Sequence, residues 1–155
     1  MKLKILWPGK TKNREVRELQ EFYLRRIREL QPCELIETKE ARGIEEKFEE
    51  RIKDIEARGL EKHFKDDYII CLFHEGREMS SRDFARFLEK CASSSTRPIA
   101  FVVGGFIGLE DTILKRADFL LSLSKMTFSH ELSRIMLLEQ IYRSLTIIKG
   151  RQYPK

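Results

Sequence analysis

The residues that could do chemistry gather at the ends of apolar runs and in the last third of the chain. Three loops stand out: Leu72-Phe73-His74-Glu75-Gly76, Gly104-Gly105-Phe106-Ile107-Gly108, and the polar stretch 124–129. Each follows a run that reads as a strand. Ligands of an open α/β sheet sit beyond the carboxyl ends of its strands, so three such loops in a small domain suit one pocket. Adjacent glycines at 104 and 105 permit positive φ and a close backbone approach to a flat ligand, although a tight strand-to-helix turn would use the same residues. They are not a dinucleotide fingerprint, because Val103 stands where the first glycine is needed, and no Gly-Lys-Ser/Thr follows to make a P-loop.

The last helical pattern, 130–148, carries the other candidates. Glu139 and Arg143 are four apart and share a face, either as an ordinary ion pair or as a pair lining a pocket. His130 opens the helix and reads as a cap or packing residue rather than a catalyst. No acid follows Glu139, whereas Arg143, Lys149, Arg151 and Lys155 do, so the C-terminus could hold a phosphate backbone. His63 and His74 lack metal-ligand spacing with each other or with Cys33, Cys71 and Cys91, and no metal site is expected. No Gly-x-Ser-x-Gly nucleophile elbow is present.

The elements that must position these groups alternate. Residues 2–7 form a first strand closed by Pro8-Gly9. Asn13 caps a helix whose Val16, Leu19, Tyr23, Ile27 and Leu30 recur at helical spacing. Residues 33–38 form a second strand. Ile44, Phe48, Ile52 and Ile55 mark a second helix stopped at Gly59. Residues 68–73 and 98–103 are solid apolar runs, suited to strands buried on both faces. Glu75-Gly76 reads as a turn. Ser80 or Ser81 caps a helix containing Phe84, Phe87 and Leu88. A short helical segment spans 109–116, and residues 119–123 form the last strand. This order implies an α/β fold with a largely parallel sheet.

A chain of 155 residues suggests a single domain, 1–155, with a real core. Its 30 Lys and Arg against 25 Asp and Glu leave a formal charge of +5, compatible with a nucleic-acid partner without requiring one. The three cysteines have no CxxC pair and read as buried reduced thiols. The first apolar run is too short for a signal peptide, and none approaches the ~20 residues of a membrane span. A cytoplasmic protein is expected. The final helix is apolar on more than one side, which suits packing against a second copy.

Three segments carry a resemblance: VVGGFIGL from Val102, LSLSKMTFSH from Leu121 and RIMLLEQIYRSLTIIKGRQY from Arg134. With a KLKI first strand, YLRR from Tyr23 and ELIE from Glu34, they closely resemble the RlmH family of SPOUT methyltransferases, over the whole chain. That family methylates N3 of a pseudouridine in large-subunit (23S) ribosomal RNA. The resemblance implies a SPOUT-type sheet flanked by helices with a C-terminal trefoil knot, an exception to unknotted topology. It implies S-adenosylmethionine held by Leu72, Gly104, Gly105, Leu123, Ser124, Lys125, Met126, Thr127 and Phe128. Gly104 is expected to leave room for the ligand against the backbone. It further implies a homodimer joined through the last helix, acting on rRNA or on the assembled ribosome, with no membrane partner. One subunit would supply the cofactor and the other its tail. Glu139 is then expected as base or positioning group, Arg143 as charge stabiliser and Tyr153 as a stacking group for the flipped base. Arg134, Lys149, Arg151 and Lys155 are its expected RNA contacts. The tail departs from the family, ending Tyr153-Pro154-Lys155 where Tyr-His is usual, and Ser129 replaces a proline.

Overall fold

Alternating apolar residues on both faces of the strands build the centre of the molecule, for which the computed structural model describes residues 1–153. The elements run β1 (Leu3–Pro8), α1 (Arg14–Leu30), β2 (Cys33–Thr38), α2 (Glu49–Glu61), β3 (Tyr68–Arg77), α3 (Ser81–Ser94), β4 (Ile99–Val102), α4 (Asp111–Arg116), β5 (Phe119–Leu121) and α5 (His130–Ile148). Every strand pairing is parallel, in the order β2-β1-β4-β3-β5.

The two-residue period sorts the side chains. Leu3, Ile5, Phe101 and Ile70 join a core with α1, α3 and α5. Leu6, Val102 and Cys71 join a second core with α2 and α4 on the other face. Burial on both sides is why the strands read as continuous apolar runs. On the second face Lys4 is also buried, where its ammonium donates to His63 O at 2.8 Å and pairs with the Asp67 carboxylate.

Several boundaries move from the sequence reading. Ile44 and Phe48 precede α2, and Gly59 lies inside that helix, buried against the Lys39 backbone. Glu75-Gly76 is not a free turn. The chain bulges after Leu72 and returns to pair Arg77 with Leu121, while Ser122 N donates to Arg77 O at 3.0 Å. Gly76 runs so close to the last strand that a β-carbon there would sit 2.7 Å from the Leu120 carbonyl. Of the cysteines only Cys71 is fully buried, which pushes its thiol up to about 12; Cys33 and Cys91 are partly exposed. The breadth of apolar surface on α5 is mostly used within the chain. Leu137, Leu138, Ile141 and Leu145 are fully buried, worth about 2 kcal/mol each. Leu132, Met136 and Ile147 remain exposed on one face.

Candidate active site

Beyond the carboxyl ends of β4 and β5, beside the bulge of β3, lies a cavity of about 340 Å³. The three loops singled out in the sequence meet there. Leu72, Phe73 and His74 come from the bulge within β3, residues 103–109 from the end of β4, and residues 121–124 and 126–128 from the end of β5 and the segment after it; Lys53 of α2 and His130 and Ser133 of α5 complete it. Leu72, Gly104, Gly105, Leu123, Ser124, Met126, Thr127 and Phe128 are therefore brought together. Lys125 is exposed and is not among the lining residues.

The glycine loop works differently from the expectation. Neither Gly104 nor Gly105 has positive φ; Gly108 does, at 96°. Gly104 instead lies against its own loop, where a β-carbon would stand 2.8 Å from the Gly108 carbonyl carbon. Gly105 pairs with Gly108 in a one-bridge turn, with Glu56 packed behind it; a β-carbon on Gly105 would stand 2.7 Å from Glu56 Oε1. The glycines thus close the loop on itself at the wall of the cavity. Ser122 Oγ donates to Ser124 O at 3.0 Å, and Met126 N donates to Ser124 Oγ at 3.0 Å, which shapes the facing loop.

The first turn of α5 is clamped to the loop after β1. Ser129 caps the helix, its hydroxyl accepting from Leu132 N at 3.2 Å. Glu131 accepts from Lys12 N at 2.5 Å and Asn13 N at 3.2 Å. Burial favours the neutral acid at Glu131, but these two amides outweigh it and hold the carboxyl below its ordinary range. Arg134 is a correction to the expected RNA contacts. It is 1% exposed and donates to Pro8 O at 2.7 Å, Gly9 O at 3.3 Å and Thr11 Oγ1 at 3.0 Å, with its guanidinium 4.7 Å over the Trp7 ring. Burial pulls it down to about 10, so it remains charged at neutral pH. An arginine occupied in this way cannot reach a phosphate.

Glu139, Arg143 and Tyr153 form a second cluster. Glu139 Oε1 accepts from Arg143 Nη2 at 2.6 Å and Nε at 3.1 Å, and Oε2 accepts from Gln140 Nε2 at 2.8 Å. The Arg143 guanidinium lies 4.5 Å over the Tyr153 ring, which also meets Tyr142 edge-on at 4.9 Å. Burial, the Glu139 charge and a hydrogen bond to Tyr23 hold the Tyr153 phenol well above its ordinary range, so it keeps its proton. None of the three lines the cavity. Glu139 is nine residues past His130, roughly half a turn's angle away round the helix and about 13 Å along it. Within one chain the two clusters are separate. Lys149 and Arg151 are exposed past a Schellman cap, in which Gly150 N donates to Ile147 O and Arg151 N to Thr146 O. Lys155 and Pro154 lie outside the described residues.

A larger cavity, about 940 Å³, opens at the ends of β1 and β2. Charges of both signs wall it, and it shares no lining residue with the first. Size does not make it the better candidate, since two strands rather than three converge on it and none of the three loops singled out in the sequence lines it. Among the described residues no cluster of three or more His, Cys, Asp or Glu could hold a metal ion, and no helix is long and apolar enough to cross a membrane.

Residues 1–154 match the family described as predicted SPOUT methyltransferase. Relatives named ribosomal RNA large subunit methyltransferase H match end to end. That of Thermodesulfovibrio yellowstonii is 40% identical, covering 98% of this chain and 97% of its own; that of Geobacter metallireducens is 39% identical, covering 99% and 98%. The chain belongs to the ribosomal RNA large subunit methyltransferase H family. A probable methyltransferase from Bordetella pertussis shares the fold of this methyltransferase, with a TM-score of 0.60 at 10% identity over 93% of this chain and 94% of that one. A probable methylase from Haemophilus influenzae does so with a TM-score of 0.56 at 13% identity, covering 99% and 72%.

The cavity suits S-adenosylmethionine, the methyl donor expected of such an enzyme. Leu72, Leu109 and Phe128 offer apolar walls to a flat adenine, and residues 104–108, 122–124, 126 and 127 line the same cavity with loop backbone of the kind that bonds an adenine edge. Sequence reasoning passed over Lys53, Ser133 and the pocket position of His130. Only packing between distant elements brings Lys53 there, whereas His130 was visible as the single histidine beside the third loop.

Proposed function

We propose that this methyltransferase transfers a methyl group from S-adenosylmethionine to N3 of a pseudouridine in large-subunit ribosomal RNA. What supports the reading is one cavity built from two strand-end loops and the bulge of β3, in a chain aligned end to end with relatives named for that class of reaction. Bound S-adenosylmethionine supplies an electrophilic methyl on a sulfonium, released as the sulfur recovers the C–S electron pair. The loops hold and orient it, which supplies proximity. The imide nitrogen must lose its proton before or as it attacks.

The enzyme acts as a homodimer. Leu132, Met136 and Ile147 form an apolar face on α5 with Glu139 and Arg143 among them, and Leu19 and Phe22 of α1 are exposed as well. A second copy on this face would bring its Arg143 and Tyr153 towards the first copy's cavity, giving a composite site. There Arg143 stabilises charge developing on the imide oxygens. Glu139, both of whose oxygens accept from neighbours, positions Arg143. Tyr153 stacks on the extruded base. Lys149, Arg151 and Lys155 contact phosphates. The same reading carries the trefoil knot and a cytoplasmic location. Nucleoside mass mapping of rRNA from cells lacking the gene tests it: the N3-methylated pseudouridine disappears on deletion and returns on complementation. An unchanged methylation pattern overturns the assignment.

A further inference from the structure

The imide proton needs an acceptor, and the lining of the cavity offers few. No Asp or Glu lines it. Lys53 is a cation. His74 stands at the mouth, its side chain 72% exposed beside Glu75. Among the described residues of the lining His130 is the remaining basic side chain, half-buried in the wall. The reading of His130 as a helix cap does not hold, because the Ser129 hydroxyl does that work. Its ring is instead met edge-on by Phe106, centroid to centroid 6.1 Å at 90°, and Phe106 is itself 69% exposed at the rim. An exposed aromatic at a cavity mouth offers a face to a flipped base. The clamp through Glu131 and Arg134 fixes the backbone that carries the imidazole.

We infer that His130 is the catalytic base of this methyltransferase, with Phe106 holding the target base against it, both from the subunit that binds the cofactor. This rests on the N3-methylation proposed above. The N3–H bond breaks, its electron pair stays on nitrogen and becomes the new N3–CH3 bond. The proton goes to the unprotonated ring nitrogen of His130 and from there to water. Four charged groups act on the imidazole: Arg134 and Glu131 on its own helix, Lys12 from the loop after β1, and Glu40 from the loop after β2. Burial, with Arg134 and Lys12, outweighs the two acids and holds the imidazole below its ordinary value, so it is neutral and able to accept at physiological pH.

The test compares wild type with His130→Gln and Phe106→Ala, using ribosomes as substrate, and titrates the imidazole of the cofactor-free protein by NMR. A general base contributes on the order of 100-fold or more. At neutral pH His130→Gln is expected to lose about that much in kcat while binding S-adenosylmethionine as wild type does by calorimetry. The deficit then shrinks as pH rises and the imide ionises unaided. Phe106→Ala is expected to raise the KM for ribosomes about tenfold, the loss of one stacked base. The wild-type rate is expected to rise through the His130 titration, which NMR is expected to find below the ordinary imidazole value, and to be flat above it. A His130→Gln rate within threefold of wild type, a deficit independent of pH, or an NMR titration at or above the ordinary value overturns the inference. Wild-type protein that methylates no pseudouridine overturns the functional reading on which it rests, and the inference with it.

Discussion

Replacing Arg134 by methionine separates a structural arginine from an RNA contact. Methionine fills much of the same volume but donates nothing. It leaves Pro8 O, Gly9 O and Thr11 Oγ1 without the donors they have now, at a site where the arginine is 1% exposed. Each buried polar group left unpaired costs about 1–3 kcal/mol. The three share one donor and relax together, so the total is taken as about 3–5 kcal/mol, as for breaking a buried charged contact. That is a large part of a typical stability of roughly 5–15 kcal/mol. For a chain of this size about 1 kcal/mol shifts the midpoint by 2–4 °C, so Tm should fall by roughly 6–20 °C. Scanning calorimetry at fixed protein concentration and salt measures it. A Tm within about 2 °C of wild type, with rRNA affinity lost and its salt dependence reduced by about one unit, would refute the reasoning and return Arg134 to the RNA contacts.

Gly104→Ala should weaken S-adenosylmethionine binding measured by calorimetry at least tenfold and lower stability by about 1–3 kcal/mol, because the methyl would meet the Gly108 backbone and open the loop; unchanged affinity removes Gly104 from the account. Mixing Gly104→Ala and Arg143→Ala proteins under subunit exchange, at a cofactor concentration too low to fill the Gly104→Ala site, should restore roughly a quarter of wild-type activity, since in the proposed dimer about half the molecules would be mixed and each would hold one intact composite site. No recovery argues for a site within one chain. Glu131 has a depressed carboxyl in the folded protein, so it stabilises the fold above its unfolded value near 4.5 and loses that effect as pH falls through the folded value. Glu131→Gln should therefore lower Tm at pH 7, and the difference should vanish in acid; a constant difference counts against the two amide contacts.

Features set by nearby residues were legible in the sequence. Asn13 caps α1 by accepting from Val16 N at 3.0 Å, and Ser80 caps α3, because capping is decided within three residues. The bounds of α5 agree at His130 and Ile148, where a serine cap and a Gly150 stop enclose an apolar pattern. The two apolar runs became interior strands β3 and β4, and the loops after β4 and β5 met in one cavity with residues 72–74, which proved to be a bulge inside β3 rather than a loop after it. What stayed hidden depends on contacts between distant segments. The basic type of Arg134 suggested a phosphate, yet the carbonyls it satisfies lie about 125 residues earlier in the chain. Gly104 read as room for a ligand, but its neighbour is Gly108. Gly76 read as a turn because nothing local reveals the Leu120 backbone beside it. The breadth of α5 suggested a second copy before it was known that α1 and α3 cover most of that helix.

The central claim is that this chain methylates N3 of a pseudouridine in large-subunit rRNA. Its most direct test incubates the purified protein with methyl-labelled S-adenosylmethionine and ribosomes from cells lacking the gene, followed by nucleoside mass spectrometry. The account predicts label in a single N3-methylated pseudouridine of the large-subunit RNA, dependent on intact Arg143. No label, or label only on another nucleoside or on another RNA, would contradict it.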